Sequence, residues 1–307
     1  MTLQQMEYIV ALDQHRHFVL AAEACGVTQP TLSAMLQKLE EELKVKLFNR
    51  DKKTITPTRI GLKVLQQAQV ALNEAKRIKE VVADEIESLQ GTLRIGIIPT
   101  VAPYLVPDFI SNFKENYPEV TLFINEMKTS EVIHQLEMSE IDLGIAVTPL
   151  EHPDLLEVPL YYERFTAYFS DKAEPSQGDL TPQKLPEKGL WVLEEGHCAR
   201  NQIFNFCHAR EMGNHIYEAG SIDTLVKIVD KNGGYTIIPE LHLPYLNAQQ
   251  RKKIRAINHP PAVREVSILL KSDFVRERMI NAVADTIKKI VPITMIDERL
   301  KKFAIKL

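Results

Sequence analysis

Apolar residues spaced seven apart run through the chain between positions 65 and 89 and divide it into two stretches of different texture. Leu65, Leu72 and Ile86 fall on one seven-residue repeat, with Lys79 as its polar exception. Ala68, Ala75, Val82 and Leu89 fall on a second repeat offset by three. Steps of three and four return to the same side of an α-helix, so the two rows make one seam of the kind that packs against a second helix. A solvated single helix has no need of such a seam. Residues 59–90 are therefore predicted to form a long linker helix, ending at Gly91, through which two copies of the chain dimerise.

Before the seam the spacing is helical. Met6, Ile9, Val10 and Leu12, then Phe18, Ala21, Ala22 and Cys25, recur at three and four residues, and Gly26 interrupts them. Thr28 is placed to cap a new helix, with Pro30 in its first turn, where a missing N–H costs little. Leu32, Met35, Leu36, Leu39 and Leu43 form its inner side. Helix, short glycine-containing turn and helix make a helix-turn-helix, although an ordinary helical hairpin shows the same pattern. In the first reading Thr31, Ser33, Ala34 and Gln37 face the major groove of DNA, where short hydroxyl and amide groups meet base edges or phosphates. Leu47 to Thr58 reads as a short β-wing, and Arg50, Lys52 and Lys53 on it are suited to phosphate contacts. Charge points the same way. Residues 1–66 hold nine Lys/Arg and seven Asp/Glu in a chain whose net charge is −4. The DNA-binding domain is placed at residues 1–58, and Cys25, on its apolar side, is expected to be structural.

After Gly91 short apolar runs alternate with helical stretches. Strands are predicted at 93–98, 120–124, 143–147, 165–169, 190–193, 235–238 and 265–270. Helices are expected at 104–115, 131–137, 198–210, 221–231 and 275–290. This alternation implies an α/β domain with a largely parallel sheet, folded as two lobes around a cleft where a small ligand binds. Lobe I takes about 91–161 and 266–295, and lobe II about 162–265. No glycine-rich phosphate loop, metalloprotease helix or nucleophile elbow is present.

Two of the three cysteines lie in Gly196-His197-Cys198-Ala199-Arg200-Asn201-Gln202-Ile203-Phe204-Asn205-Phe206-Cys207-His208. A helix starting near Gly196 places Cys198 in its first turn, where unpaired N–H groups and the helix dipole favour a thiolate. His197 and Arg200 push the same way. Cys207 shares a face with Ile203 and Phe204 and is expected to be buried and unreactive. Nine residues of helix rise ~13.5 Å over about two and a half turns, whereas a disulfide needs Cα atoms within roughly 7 Å. The two can bond only if the segment between them unwinds. Plain buried cysteines are the bland alternative. A zinc site from His197, Cys198, Cys207 and His208 lacks the usual short ligand spacing, so no metal or other cofactor is expected. An odd number of cysteines, a start unlike a signal peptide and the lack of a bilayer-length apolar run lead to a cytoplasmic expectation.

The run Phe18-x-x-Ala21-Ala22 to Gln29-Pro30-Thr31-Leu32-Ser33, followed by Leu47-Phe48-x-Arg50 and Thr58-x-x-Gly61, resembles the LysR-type transcriptional regulators. Pro57 and Ile60 depart from the usual Leu and Ala of the last motif. The resemblance implies a winged helix-turn-helix, a linker helix and a two-lobed regulatory domain like the periplasmic binding proteins. Within that family, His15-Arg16-His17-Phe18, the run from Gly96 to Leu105 and Gly196-His197-Cys198-x-Arg200 with Cys207 are similar to the hydrogen-peroxide-sensing OxyR subfamily.

That subfamily resemblance implies a peroxidatic Cys198, a resolving Cys207, and Thr100, Thr129, His197 and Arg200 as the peroxide-binding set. Asn201 stands where the subfamily commonly has Asp, which bears on how Arg200 is held. It further implies operator DNA, RNA polymerase and a thiol reductant of glutaredoxin or thioredoxin type as partners, a homodimer assembling to a homotetramer, and no enzyme. Two rivals remain: a metabolite-responsive regulator of the same family with structural cysteines, and a thiol-dependent peroxidase.

Overall fold

The computed structural model describes residues 1–50, 55–85, 89–171, 180–186, 188–193, 202–203, 220–258, 260–272, 274 and 276–305. The chain forms two compact units, Met1–Glu87 with Glu137–Glu140, and Ser88–Leu136 with Ile141–Leu307.

The first unit opens with three helices: α1 (Leu3–His15), α2 (Phe18–Ala24) and α3 (Gln29–Leu43). Thr2 caps α1 through a reciprocal pair with Gln5. As the sequence leads one to expect, Thr28 caps α3 and accepts from the Thr31 N–H, with Pro30 in the first turn. The α2–α3 turn needs Gly26, whose φ of +66° lies in the left-handed region. Ile9, Leu12, Leu32, Leu36 and Leu39 meet in one core, each worth about 1.5–3 kcal/mol when removed from water.

Strands β1 (Phe48–Asn49) and β2 (Thr56–Pro57) pair antiparallel as a short wing, and α4 (Arg59–Glu85) follows. The Thr58-x-x-Gly61 spacing has a local cause. The Thr58 hydroxyl donates to the Lys46 carbonyl and accepts from the Gly61 N–H, while a Cβ at Gly61 would collide with the Leu47 carbonyl. Leu65 and Ala68, which begin the seam, are spent inside this unit's own core.

The second unit is built on a mixed sheet. Its first three strands, β3 (Gly91–Ile97), β4 (Val120–Glu126) and β5 (Leu143–Thr148), are parallel, with β3 in the middle. Helices α5 (Ala102–Asn116) and α6 (Thr129–Glu137) connect them. The remaining strands are β6 (Leu155–Phe169), β7 (Leu190–Trp191), β8 (Tyr235–Pro239), β9 (Ile254–Ala256) and β10 (Val263–Lys271). Helices α7 (Ile222–Asn232), α8 (Ala248–Arg251) and α9 (Glu277–Ile290) complete the unit.

Two features depart from the largely parallel sheet predicted. β10 runs antiparallel to both β5 and β6, and β6 starts ten residues before the predicted Phe165 and runs unbroken to Phe169. The first part of β6 pairs with β10, and its last part pairs with β8 and β9. Strands that pass from one lobe to the other are exposed to different partners along their length, so no single alternation marks them in the sequence. In the first lobe Phe109 and Phe113 of α5 and Met279, Val283 and Ile287 of α9 share a core with Ile95, Ile97 and Ile145. In the second, Phe165, Phe169, Tyr235 and Ile237 form the centre of a smaller one. Among the described residues no helix is long and apolar enough to cross a membrane.

Candidate functional site

On the first unit the exposed N-terminal half of α3 presents Thr31, Ala34 and Gln37, with Ser33 half-buried. The Thr31 and Thr28 hydroxyls share a hydrogen bond of 2.8 Å, and Gln37 donates to Glu41 at 2.9 Å. These are the short polar groups on an exposed helix start that a groove-facing helix requires. Below them sits a residue that periodicity did not single out. Glu40 is buried on the inner side of α3 and accepts from the Leu47 N–H at 2.8 Å, from Lys46 at 3.2 Å and from Arg50 at 2.8 Å. The Arg50 guanidinium also lies over the Phe18 ring, 5.8 Å from its centroid. Much of the Arg50 charge is therefore committed to Glu40, which ties the wing base to α3. Lys52 and Lys53 lie outside the described residues. Cys25 packs against the core, and burial, with the Glu7 charge adding to it, raises its thiol above the ordinary value. That is the setting of an inert thiol.

On the second unit the two threonines singled out from the sequence come to the same edge of the sheet. β3 and β4 are parallel neighbours with Ile97 opposite Glu126, and each strand leads in three further residues to a threonine, Thr100 and Thr129. Both are buried, Thr129 as the first residue of α6 and Thr100 just before α5. Turns after parallel strands, at the starts of helices, are where an α/β sheet places ligand-binding groups.

Thr100 is held from across the sheet. Arg264 of β10 donates from Nη1 to its hydroxyl at 3.1 Å and from Nη2 to its carbonyl at 3.0 Å. Arg264 is held by Glu163 of β6, with Nη2 at 2.6 Å and Nε at 2.8 Å from Oε2. The other Glu163 oxygen accepts from the Leu241 N–H at 2.8 Å. Both side chains are 0% exposed. Burial raises the Glu163 carboxyl against the pull of Arg264. Burial also works to discharge Arg264, but Glu163 outweighs it and the guanidinium ends above its ordinary value. A guanidinium does not lose its proton in proteins, so the pair is ionic at neutral pH. The result is a fixed guanidinium beside Thr100, its charge balanced by Glu163 and its donors held in place out of reach of water.

Three more polar side chains surround this pair. The Tyr104 hydroxyl of α5 is 2.9 Å from Nδ1 of His242, which lies in the 3-10 turn Glu240–Tyr245. Burial lowers the His242 pKa, although Asp223 at the start of α7 opposes it. Tyr161, on the same face of β6 as Glu163, buries its hydroxyl without a hydrogen-bond partner among the described residues. Neither Glu163 nor Arg264 was singled out from the sequence. The available signal was a pair of adjacent opposite charges inside each strand-like apolar run, Glu163-Arg164 in Leu160–Phe165 and Arg264-Glu265 in Ala262–Leu270.

His197, Cys198, Arg200, Asn201, Phe204 and Cys207 lie outside the described residues. From the segment between the cysteines the structure describes Gln202 and Ile203, both buried, and Ile203 belongs to the second-lobe core. Among the described residues no group of histidine, cysteine and carboxylate side chains is arranged to hold a metal.

Residues 3–62 match the bacterial regulatory helix-turn-helix model of the lysR family, and residues 87–291 match the LysR substrate binding domain. A hydrogen peroxide-inducible genes activator of Haemophilus influenzae is 34% identical over 95% of this chain and 99% of its own. Among solved structures, a full-length OxyR variant from Pseudomonas aeruginosa superposes with a TM-score of 0.74 at 32% identity, covering 94% of this chain and 98% of that one. A hydrogen-peroxide-bound OxyR variant from Corynebacterium glutamicum gives 0.60 at 30% identity over 94% of each.

Proposed function

The chain belongs to the LysR family of bacterial transcriptional regulators, in its OxyR branch, and from that premise we propose that it is a DNA-binding regulator switched by hydrogen peroxide. The observation that carries the reading is the buried Thr100, whose hydroxyl and carbonyl are both held by the fixed charge of Arg264. A small neutral oxidant needs little more than hydrogen bonds in a dry pocket, and a reaction that releases hydroxide gains from hydrogen-bonding groups already held in place.

Cys198 is the nucleophile in this reading, with Thr100, Thr129, His197 and Arg200 around the peroxide. Its thiolate attacks one oxygen, the O–O bond breaks, and the departing hydroxide takes up a proton and leaves as water. The product is a sulfenic acid on Cys198. The Cys207 thiol then attacks that sulfur, an S–S bond forms, the S–O bond breaks and a second water leaves. Thiol exchange with a glutaredoxin- or thioredoxin-type reductant resets the pair.

Thr31, Ser33 and Gln37 read the operator, and Arg50, Lys52 and Lys53 supply phosphate affinity. Two chains join along α4, dimers assemble to tetramers, and the oxidised regulatory domain alters the half-site spacing presented to DNA and to RNA polymerase. The LysR-type regulators are not an enzyme class, and here peroxide is a signal.

Peptide mapping without reductant, before and after substoichiometric peroxide, tests the switch. A Cys198–Cys207 bond that appears only after peroxide is the expected result, and Cys198→Ser should lose it while keeping basal DNA binding. Cysteines that stay free would replace this reading with a metabolite-responsive regulator. Multiple turnovers of peroxide with a thiol reductant, without any effect on DNA binding, would point to a peroxidase.

A further inference from the structure

We propose that the second lobe carries a binding site for a small molecule bearing a phosphate group, in the pocket between the end of β6 and the turn that leads from α8 into β9. The pocket has a volume of about 330 Å³, enough for a small metabolite, and its wall includes Ser170, Asp171, Gln249, Lys252, Lys253 and Arg255. The site is independent of the cysteine switch and separate from the peroxide site. Phe169, the last residue of β6, lies six residues beyond Glu163 on the same strand, which is ~20 Å of extended rise away from the pair that holds Thr100.

The backbone brings the cations together. β9 pairs antiparallel with β6, with Arg255 opposite Ala167, and the Phe169 N–H carries the pairing on to the Lys253 carbonyl at 3.1 Å. Residues two apart on an extended path return to one face, so Lys253 and Arg255 fall on the same side, with the exposed Lys252 next to them. The Lys253 ammonium is fixed in place, 3.1 Å from Asp171 and 3.0 Å from Asp230 of α7. Those contacts use two of its three donors. The wall of the pocket thus holds three cations against one carboxylate, on a chain whose net charge is −4. A phosphate monoester, with a charge of about −1.5 to −2 at neutral pH and three strong acceptor oxygens, matches that surplus, whereas a single carboxylate does not.

Ser170 makes the pocket more than a charged surface. The residue is 5% exposed, and its N–H donates to the Gly234 carbonyl at 2.9 Å. Its hydroxyl oxygen is buried with no hydrogen-bond partner among the described residues. A buried hydroxyl left unpaired is unfavourable, and a phosphate oxygen is an acceptor that satisfies it. Asp171, the next residue, is the group that gives way. Its side chain is 81% exposed, so an arriving anion replaces it on Lys253 at small cost.

Isothermal titration calorimetry of the full-length protein with glycerol 3-phosphate tests the site, in phosphate-free buffer at constant ionic strength and with citrate as the comparison anion. One saturable site per chain is expected. Lys252→Gln and Arg255→Gln should each weaken it about tenfold or more, the loss of one charge-assisted hydrogen bond, and Ser170→Ala about fivefold. Asp171→Asn should tighten it, because the carboxylate that competes for Lys253 is gone. Lys252, Arg255 and Asp171 are exposed, so their variants should fold as the wild type does. Wild-type protein that gives no saturable heat would overturn the site. Binding that is unchanged in Lys252→Gln and Arg255→Gln would overturn it by placing the ligand elsewhere. Ser170→Ala that binds as tightly as the wild type would overturn it by leaving only a surface charge cluster. Citrate bound as tightly through the same residues would overturn the assignment to phosphate. None of these failures touches the reading of the peroxide switch.

Discussion

Glu163 and Arg264 face each other across the β6–β10 pair, fully buried, with a carboxylate oxygen 2.6 Å from the guanidinium. Arg264 stands directly opposite Glu163 in the strand register, so the ion pair is built into the sheet itself. Through Arg264 the pair also fixes Thr100, which lies 164 residues away in the chain.

Removing one member should be far more damaging than removing both. Arg264→Met leaves a buried carboxylate alone and should cost about 3–5 kcal/mol, whereas Glu163→Leu with Arg264→Met should recover most of the loss. Urea unfolding followed by the fluorescence of Trp191, the single tryptophan, reads this unit directly. The double variant should still react slowly with peroxide, because Thr100 has lost its donors. Wild-type reactivity in that variant would mean that Arg264 has no part in positioning.

His242 gives the second unit a pH dependence. Its folded-state pKa is lowered from the ordinary 6.5, burial being the larger cause. As pH falls through 6.5 the unfolded chain takes up a proton that the folded chain refuses, so stability is full above 6.5 and drops below it. Denaturation midpoints measured downward from pH 7.5 should show the decline. His242→Gln should flatten it while keeping a hydrogen-bonding partner for Tyr104.

Tyr161→Phe removes a buried hydroxyl that has no partner among the described residues. An unpaired buried polar group is unfavourable, so this variant should be more stable by about 1 kcal/mol. A lower unfolding midpoint would show that the hydroxyl is satisfied, for instance by an ordered water.

Salt dependence separates the basic residues of the wing. Neutralising Lys52 or Lys53 should lower the slope of log affinity against log salt by about 0.9 for each phosphate left without its cation. Arg50→Gln should lower it by less, because that charge is already shared with Glu40. Equal slopes for the three variants would mean that Arg50 leaves Glu40 when DNA binds.

Local chemistry made much of the architecture legible. Thr28 and Pro30 start α3, Gly26 makes the turn before it, and Ser221 caps α7, each through signals only a few residues long. Helix and strand periods likewise placed β3, β4, β5, α5 and α6, and with them Thr100 and Thr129 at the ends of neighbouring strands. These are short-range effects, set by steric preference, capping and the three- or two-residue return of a side chain to one face.

Only the tertiary structure decided which distant groups meet. That Leu65 and Ala68 serve the first unit's core, that β6 continues past one lobe into the next, that Glu40 ties down the wing and that Glu163 and Arg264 hold Thr100 are all of this kind. A charge inside an apolar run, here with an opposite charge beside it in the chain, has no periodicity and no fixed offset to its buried partner. Its position is tolerable only because the folded sheet brings an opposite charge to it, and that partner is chosen by the packing of the whole unit, not by spacing along the chain.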